Sequence, residues 1–329
     1  MASFGRLTLF TEGGQGPGLG HVARCTAYAR HWAEAEGAVI WILDGDALAV
    51  AMAGETGEVR QGRWQDDPDT LPDCRDGLVI VDSYQAGAPV LAAIARQAGA
   101  IVFIDDLQRH IYPRGTVVHP APDPAPLRPD GATWLTGPVW QPLRPGFGNL
   151  SRRPEVRPTV ERILVTMGGG DVRALGDETA RLAAGEYPDA RIDLVRGGAD
   201  DGPSPPGVTV HHRLSDSAMA ALMLEADLAV SAAGTTTFEL ACCGVPTILV
   251  GVADNQQANL DHWPPLCGFV DAGRWDGPDR QARIRSGLRR LGDPGLRAEI
   301  ATRSAALVDG QGVRRLFDYL QQAQGPDPA

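Results

Sequence analysis

The residues best placed to do chemistry fall into two groups. The first is Ala233-Gly234-Thr235-Thr236, then Glu239, and, beyond Gly244-Val245-Pro246, the polar run Asp254-Asn255-Gln256-Gln257. A glycine and hydroxyl turn between a buried strand and a helix leaves amide donors free for a phosphate. A carboxylate in the first turns of that helix can reach a ligand held at its start. The same pattern is a plain cap in many doubly wound proteins, so the turn alone leaves both readings open. The second group is Gly18-Leu19-Gly20-His21. His21 stands at a helix start, where the dipole favours a neutral imidazole, the form that acts as a general base. A lone histidine there is also a common surface or capping residue.

Both groups depend on the elements that carry them. Residues 227–232 and Thr247 to Val252 are short apolar runs that predict buried parallel strands, joined by a helix that Gly244 and Pro246 stop. Their carboxyl ends reach one rim, where open α/β sheets bind ligands. At the other end of the chain, Leu7 to Thr11 predicts a strand, 12–20 a glycine-rich loop, and His21 to Glu36 a helix with Val22, Cys25, Ala29 and Trp32 on one face. The loop glycines fall at alternate positions, so the dinucleotide fingerprint fails. Further strands are expected at 39–43, 77–82 and 100–104, the last two ending in Asp82-Ser83-Tyr84 and Asp105-Asp106. Proline-rich 117–127 reads as an irregular loop. The second half restarts with a strand at 162–167 and the turn Gly168-Gly169-Gly170, which serves either a diphosphate or no ligand at all. Strands at 191–195 and 208–211 follow, then helices at 215–225, 278–291, 294–308 and 312–324. Met219, Leu222 and Met223 line one face of the first of these helices, as core or as neighbours of a base.

Composition sets limits on function. With 329 residues and 43% apolar content, two domains of ordinary size are expected. No apolar run is long enough to span a bilayer, and the first ten residues do not read as a signal peptide, so a cytoplasmic location is expected. All 30 basic residues are arginine. The lack of lysine removes Schiff-base chemistry and a P-loop. The net charge of −11 argues against a nucleic-acid partner. Five scattered cysteines form neither a disulfide framework nor a zinc spacing.

Taken in order, Gly234-Thr235-Thr236, Glu239, Gly244-Val245-Pro246 and Asn255-Gln256-Gln257 resemble the nucleotide-sugar site of GT-B proteins. They are especially similar to the transferase that adds N-acetylglucosamine from its UDP form to the peptidoglycan lipid precursor. That resemblance implies diphosphate contacts at Thr235 and Thr236, ribose contacts at Glu239, and sugar contacts at Gln256 and Gln257. The stretch FTEGGQGPGLGHVARC resembles the opening of the hydrolases that release UDP from a diacetamido-trideoxyhexose in pseudaminic-acid synthesis, and equally that of the spore-coat polysaccharide biosynthesis proteins. The shared hallmark, Gly-x-Gly-His-Val-x-Arg-Cys, is Gly18 to Cys25 here. Where the hydrolases carry Arg-x-Asp, this chain has Phe10-Thr11-Glu12, and it inserts residues 14–17.

The resemblance implies an α/β, GT-B fold of two Rossmann-like domains facing a cleft: 1–150 carrying His21, 151–311 binding UDP, and a helix at 312–329 crossing back. It implies His21 as the catalytic base, with substrate contacts at Gly20, Arg24, Tyr84, Asp105, Asn255, Gln256 and Gln257. Nucleotide contacts are implied at Gly168, Gly169, Leu214, Met219, Ala233, Gly234, Thr235, Thr236 and Glu239. GT-B sites generally hold the diphosphate with helix amides, so neither a metal nor another cofactor is expected despite the Asp105-Asp106 pair. The expected reaction is hydrolysis of a UDP-linked deoxy sugar; the alternative is inverting transfer to an acceptor hydroxyl. Residues 1–150 show no apolar, basic patch suited to a lipid acceptor, which tilts the expectation toward hydrolysis.

Overall fold

The computed structural model describes residues 4–14, 18–35, 37–66, 71–122, 131–148, 150, 155–168, 175–197 and 203–323. Its contacts divide the chain into two compact units, residues 1–145 with 311–329, and residues 146–310.

In the first unit the chain alternates β1 (Arg6–Gly13), α1 (Gly20–Glu34), β2 (Ala38–Gly45), α2 (Ala47–Gly54), β3 (Glu58–Gln61), β4 (Cys74–Asp82), α3 (Ala88–Gln97) and β5 (Ala98–Ile104), then adds β6 (Thr116–His119) and β7 (Thr133–Thr136). The seven strands lie in the order β3-β2-β1-β4-β5-β6-β7, with every pair parallel. β1 is buried along seven of its eight residues, as a central parallel strand covered on both faces must be. The winding direction reverses between β1 and β4, where Thr11 lies beside Asp82. That is the topological switch point, and it opens at the carboxyl ends of both strands.

The second unit repeats the plan with β8 (Arg162–Thr166), α4 (Leu175–Glu186), β9 (Arg191–Arg196), β10 (Val208–His212), α5 (Asp216–Glu225), β11 (Leu228–Ala232), α6 (Thr236–Cys242), β12 (Thr247–Gly251), α7 (Gln257–Cys267), β13 (Val270–Arg274), α8 (Arg280–Arg290) and α9 (Pro294–Leu307). Its sheet runs β10-β9-β8-β11-β12-β13, again parallel, with the reversal between β8 and β11. The last helix, α10 (Gly312–Ala323), belongs to the first unit. Its Phe317 stacks on His31 at 5.0 Å and meets Trp32 at 5.6 Å, and Leu316 and Phe317 join the core formed by β1, β2 and α1.

Three segments differ from the sequence expectation. The proline-rich stretch contains the strand β6, buried at all four positions, and β7 pairs with it. Four-residue strands flanked by Pro113 and Pro120 carry too little periodicity to stand out. The second is α7, which runs through Pro264 and Pro265 and closes on Gly268 at φ 89°. Two interior prolines would ordinarily argue against a helix. The third is β13, whose Gly273 at φ 76° and shifted register hide it. Among the described residues, no helix is long and apolar enough to cross a membrane.

Candidate functional site

The first unit builds its site from β1, α1, β4 and the turn after β5. Beyond β1 the chain folds back through a reciprocal backbone pair, Gly14 with Gly18 at 3.0 and 2.8 Å, before entering α1. Gly14 has φ 142°, and a Cβ there would lie 2.7 Å from the Asp46 carboxylate that caps α2, so a side chain would meet both strain and a clash. This loop delivers His21 as the second residue of α1, 5% exposed.

Asp82, the last residue of β4, is fully buried, and its Oδ1 lies 2.7 Å from His21 Nδ1. A carboxylate only accepts, so Nδ1 carries the hydrogen and donates it. The ring lone pair is then on Nε2, which makes no hydrogen bond among the described residues. Arg24, one turn along α1, donates Nε to Asp82 Oδ2 at 2.8 Å, Nη2 to Oδ1 at 2.7 Å and Nη1 to Asp106 Oδ2 at 2.7 Å. Its Nη2 also comes within 3.1 Å of His21 Nδ1. With Nδ1 protonated, and no lone pair on a guanidinium, that approach is a contact rather than a hydrogen bond.

Tyr84 completes the cluster. Its hydroxyl donates to Asp106 Oδ1 at 2.8 Å, and its ring stands edge-on to the imidazole at 4.3 Å and 89°. The turn carrying it is clamped by Glu12, 1% exposed at the end of β1. One Glu12 oxygen accepts the Tyr84 and Gln85 amides at 2.8 and 3.1 Å; the other accepts Ser83 Oγ and, at 3.0 Å, Gln65 Nε2. Arg109 lies 4.8 Å over the Tyr84 ring and donates to the Ser83 and Tyr84 carbonyls. Burial pushes the Asp82 carboxyl upward, but the charge of Arg24, then that of His21, outweighs it and holds the group below the usual carboxylate range. Burial likewise raises Asp106, and Arg24 and the Tyr84 hydroxyl overcome it to bring it to about 2. Burial and the neighbouring Asp106 push the Tyr84 phenol up, so it stays protonated and donating.

Of the residues the sequence singled out here, His21, Arg24 and Tyr84 come together, and Gly20 opens the helix with free space at its Cβ position. Arg24, expected to touch substrate, has its guanidinium committed to Asp82 and Asp106 and is 5% exposed. Asp105, expected among the substrate contacts, is fully buried. Its oxygens accept from Leu107 N, Arg109 N and Tyr112 Oη at 3.1, 2.9 and 2.8 Å, so it fixes the turn. The next residue, Asp106, is the one that joins His21's cluster. Asp82, Asp106 and Glu12 are the residues that sequence reasoning missed. Their position at strand ends was visible, but which side chain turns toward α1 was not.

In the second unit β11 and β12 lie side by side, with Ala232 opposite Val250, so the 233–239 and 252–257 segments leave one rim. Gln256 ties them together: its Oε1 accepts from Val252 N at 2.9 Å, and its Nε2 lies 3.4 Å from the Cβ position of Gly234. Asn259, unremarked in the sequence, donates to the buried Ala233 carbonyl at 2.8 Å. Thr235 is the N-cap of α6 but makes no capping hydrogen bond, and the Thr235 and Thr236 hydroxyls have no partner among the described residues. Thr237 Oγ1 donates to the Gly234 carbonyl at 2.7 Å. Glu239 is buried near that helix start. Asn255 and Gln257 are exposed, the latter bonded to Asp261. Gly168, at φ 82° after β8, has open space where a Cβ would stand. Gly169 lies outside the described residues. Leu214 is half-buried, and Met219 is 5% exposed.

No known protein-family profile matches the chain. It is 27% identical over 198 residues to the spore coat polysaccharide biosynthesis protein SpsG of Bacillus subtilis (strain 168). That alignment takes in 56% of this chain, which spans 57% of the relative's length. Among solved structures it is similar to the glycotransferase of kitacinnamycin, with TM-score 0.64, 17% identity, and 98% of this chain and 99% of that one covered. Acinetobacter baumannii MurG gives TM-score 0.61 and 15% identity over 96% of this chain and 99% of that one. The spinosyn rhamnosyltransferase SpnG complexed with thymidine diphosphate gives 0.55 and 13% over 95% and 100%. At these identities the likeness is one of fold: two parallel-sheet Rossmann-like units, the architecture of GT-B glycosyltransferases.

Proposed function

We propose that this chain transfers a sugar from a nucleoside diphosphate to an acceptor hydroxyl in polysaccharide biosynthesis, with His21 as the base. The observation that carries the proposal is the buried Asp82–His21 pair, which leaves Nε2 as the ring's available lone pair at the β1/β4 switch point. The acceptor O–H gives its proton to Nε2 as its oxygen bonds to the anomeric carbon. The bond from that carbon to the diphosphate breaks, its electron pair leaves with the phosphate, and the anomeric configuration inverts. In the second unit the α6 start with Thr235 and Thr236, together with Gly168 and Gly169, takes the diphosphate. Glu239 takes the ribose, Leu214 flanks the base, and Asn255, Gln256 and Gln257 take the sugar.

Hydrolysis is the second reading, with water in place of the acceptor; the 10–25 stretch that resembles UDP-sugar hydrolases favours it. The names of similar structures favour transfer: one is a glycotransferase and another a rhamnosyltransferase complexed with thymidine diphosphate. Incubation with UDP- and TDP-sugars, with and without polysaccharide or lipid-linked acceptors, separates the readings. Acceptor-dependent release of nucleotide and a new glycoside supports transfer. Free sugar released at the same rate without acceptor supports hydrolysis, and release from no donor defeats both.

A further inference from the structure

The cluster around His21 contains one more carboxylate than orienting a ring requires. Asp82 alone fixes the tautomer, yet Arg24 bonds both Asp82 and Asp106, and Asp106, its side chain 21% exposed, also takes the Tyr84 hydroxyl. The charges explain the second acid. Were Arg24 paired with Asp82 alone, the two would cancel, and a guanidinium nitrogen 3.1 Å from Nδ1 would oppose a positive ring. Little attraction would remain for the imidazolium that forms when Nε2 accepts a proton.

We propose that Asp106 is a positioning residue whose carboxylate gives Arg24 a second counter-charge, so that the Asp82–Arg24–Asp106 set keeps one negative charge for the protonated His21 ring. Asp82, Arg24 and Asp106 together carry one net negative charge, and the protonated ring completes a neutral set of four. The other polar groups that meet the cluster do not upset this balance. From α1 comes Arg24, with the buried Cys25 thiol held protonated by burial and by Asp82. From β4 and its turn come Asp82 and Tyr84, and from the turn after β5 comes Asp106. Glu12, at the end of β1, spends both oxygens on the 83–85 turn and Gln65. Arg109 sits beyond Tyr84, bonded to carbonyls. The consequence for turnover rests on the proposed transfer reaction; the protonation of the ring does not.

The test is an NMR titration of the His21 ring in the free full-length protein, assigned among the seven histidines by loss of its signals in His21→Asn. Asp106→Asn keeps the shape while leaving Arg24 and Asp82 to cancel each other, so the His21 midpoint moves to lower pH, by on the order of one unit. Arg24→Gln moves it upward, and the double variant returns it to within a few tenths of wild type. A side chain that merely holds the turn in place gives no such opposite shifts and no such cancellation. If Arg24→Gln does not fold, Asp106→Ser provides a second reading of the downward shift. A midpoint that stays put in both Asp106 variants overturns the inference. Because no substrate is needed, absence of sugar transfer leaves this result standing. An unmoved midpoint in an active enzyme sinks this inference alone.

Discussion

Replacing Asp82 by Asn tests the base directly, because it keeps the size of the side chain and alters only what it offers to Nδ1. The native contact is a 2.7 Å charge-assisted hydrogen bond from a buried ring to a buried carboxylate. Such bonds contribute about 1.5–3 kcal/mol, and at 1.4 kcal/mol per factor of ten they hold the Nδ1–H tautomer by roughly ten- to a hundredfold. An asparagine amide can turn its NH2 toward Nδ1, which moves the hydrogen to Nε2 and removes the base. The imidazolium formed during reaction also loses its counter-charge. Together these bring the loss into the range of a missing general base, about 10²–10⁴-fold in kcat. Arg24 keeps Asp106, so folding should survive, with a loss at or below the low end of the ~3–5 kcal/mol typical of a broken buried pair. Turnover is read by nucleotide release, the tautomer by ring ¹⁵N shifts, and stability by urea unfolding. A folded Asp82→Asn protein within threefold of wild-type kcat would refute the reasoning.

Four further outcomes are expected. Glu12→Ala strands the Tyr84 amide, Ser83 Oγ and Gln65 Nε2, and leaves the Gln85 amide with Ser83 Oγ alone; it should cost about 3–5 kcal/mol in urea unfolding, a loss below 1 kcal/mol speaking against the clamp. Phe317→Ala removes the aromatic anchor of α10 and should cost about 3–5 kcal/mol; a smaller Tm change than such a loss implies would mean the helix is held elsewhere. Thr235→Val and Thr236→Val delete hydroxyls unpartnered among the described residues, so stability should stay within about 0.5 kcal/mol while nucleoside-diphosphate affinity falls roughly tenfold or more, as calorimetry would read. The Asp106 carboxyl is depressed in the fold to about 2 from an ordinary ~3.9. The stability it confers is therefore present above ~pH 3.9 and lost as pH falls through about 2, so the gap between wild type and Asp106→Asn should narrow across that window. A gap equally wide at pH 6 and at the acid end would contradict the sign.

What was legible in the chain follows from how parallel sheets advertise themselves. The central strands are buried on both faces and read as apolar runs, so β1, β4, β8, β11 and β12 stand out, along with the glycine turns that follow several of them. Three shorter strands do not: β6, β7 and β13 are flanked by proline or interrupted by glycine, and draw their stability from neighbouring strands. The site divides in the same way. His21 and the 234–257 motif announce themselves by local spacing. Asp82 and Asp106 act through contacts 61 and 82 residues away, with His21 and Arg24 respectively, and no local pattern tells Asp106 from Asp105. Glu12 shows how a departure from a familiar motif gains sense only in three dimensions, as the clamp for the Tyr84 turn.

The most direct measurement on the central claim pairs nucleotide binding with turnover in His21→Asn. The account expects this variant to bind the nucleoside diphosphate with wild-type affinity, since the second unit supplies those contacts. It expects turnover to fall at least about a hundredfold, since the proton acceptor is gone. A His21→Asn protein that turns over its sugar donor at the wild-type rate would contradict it.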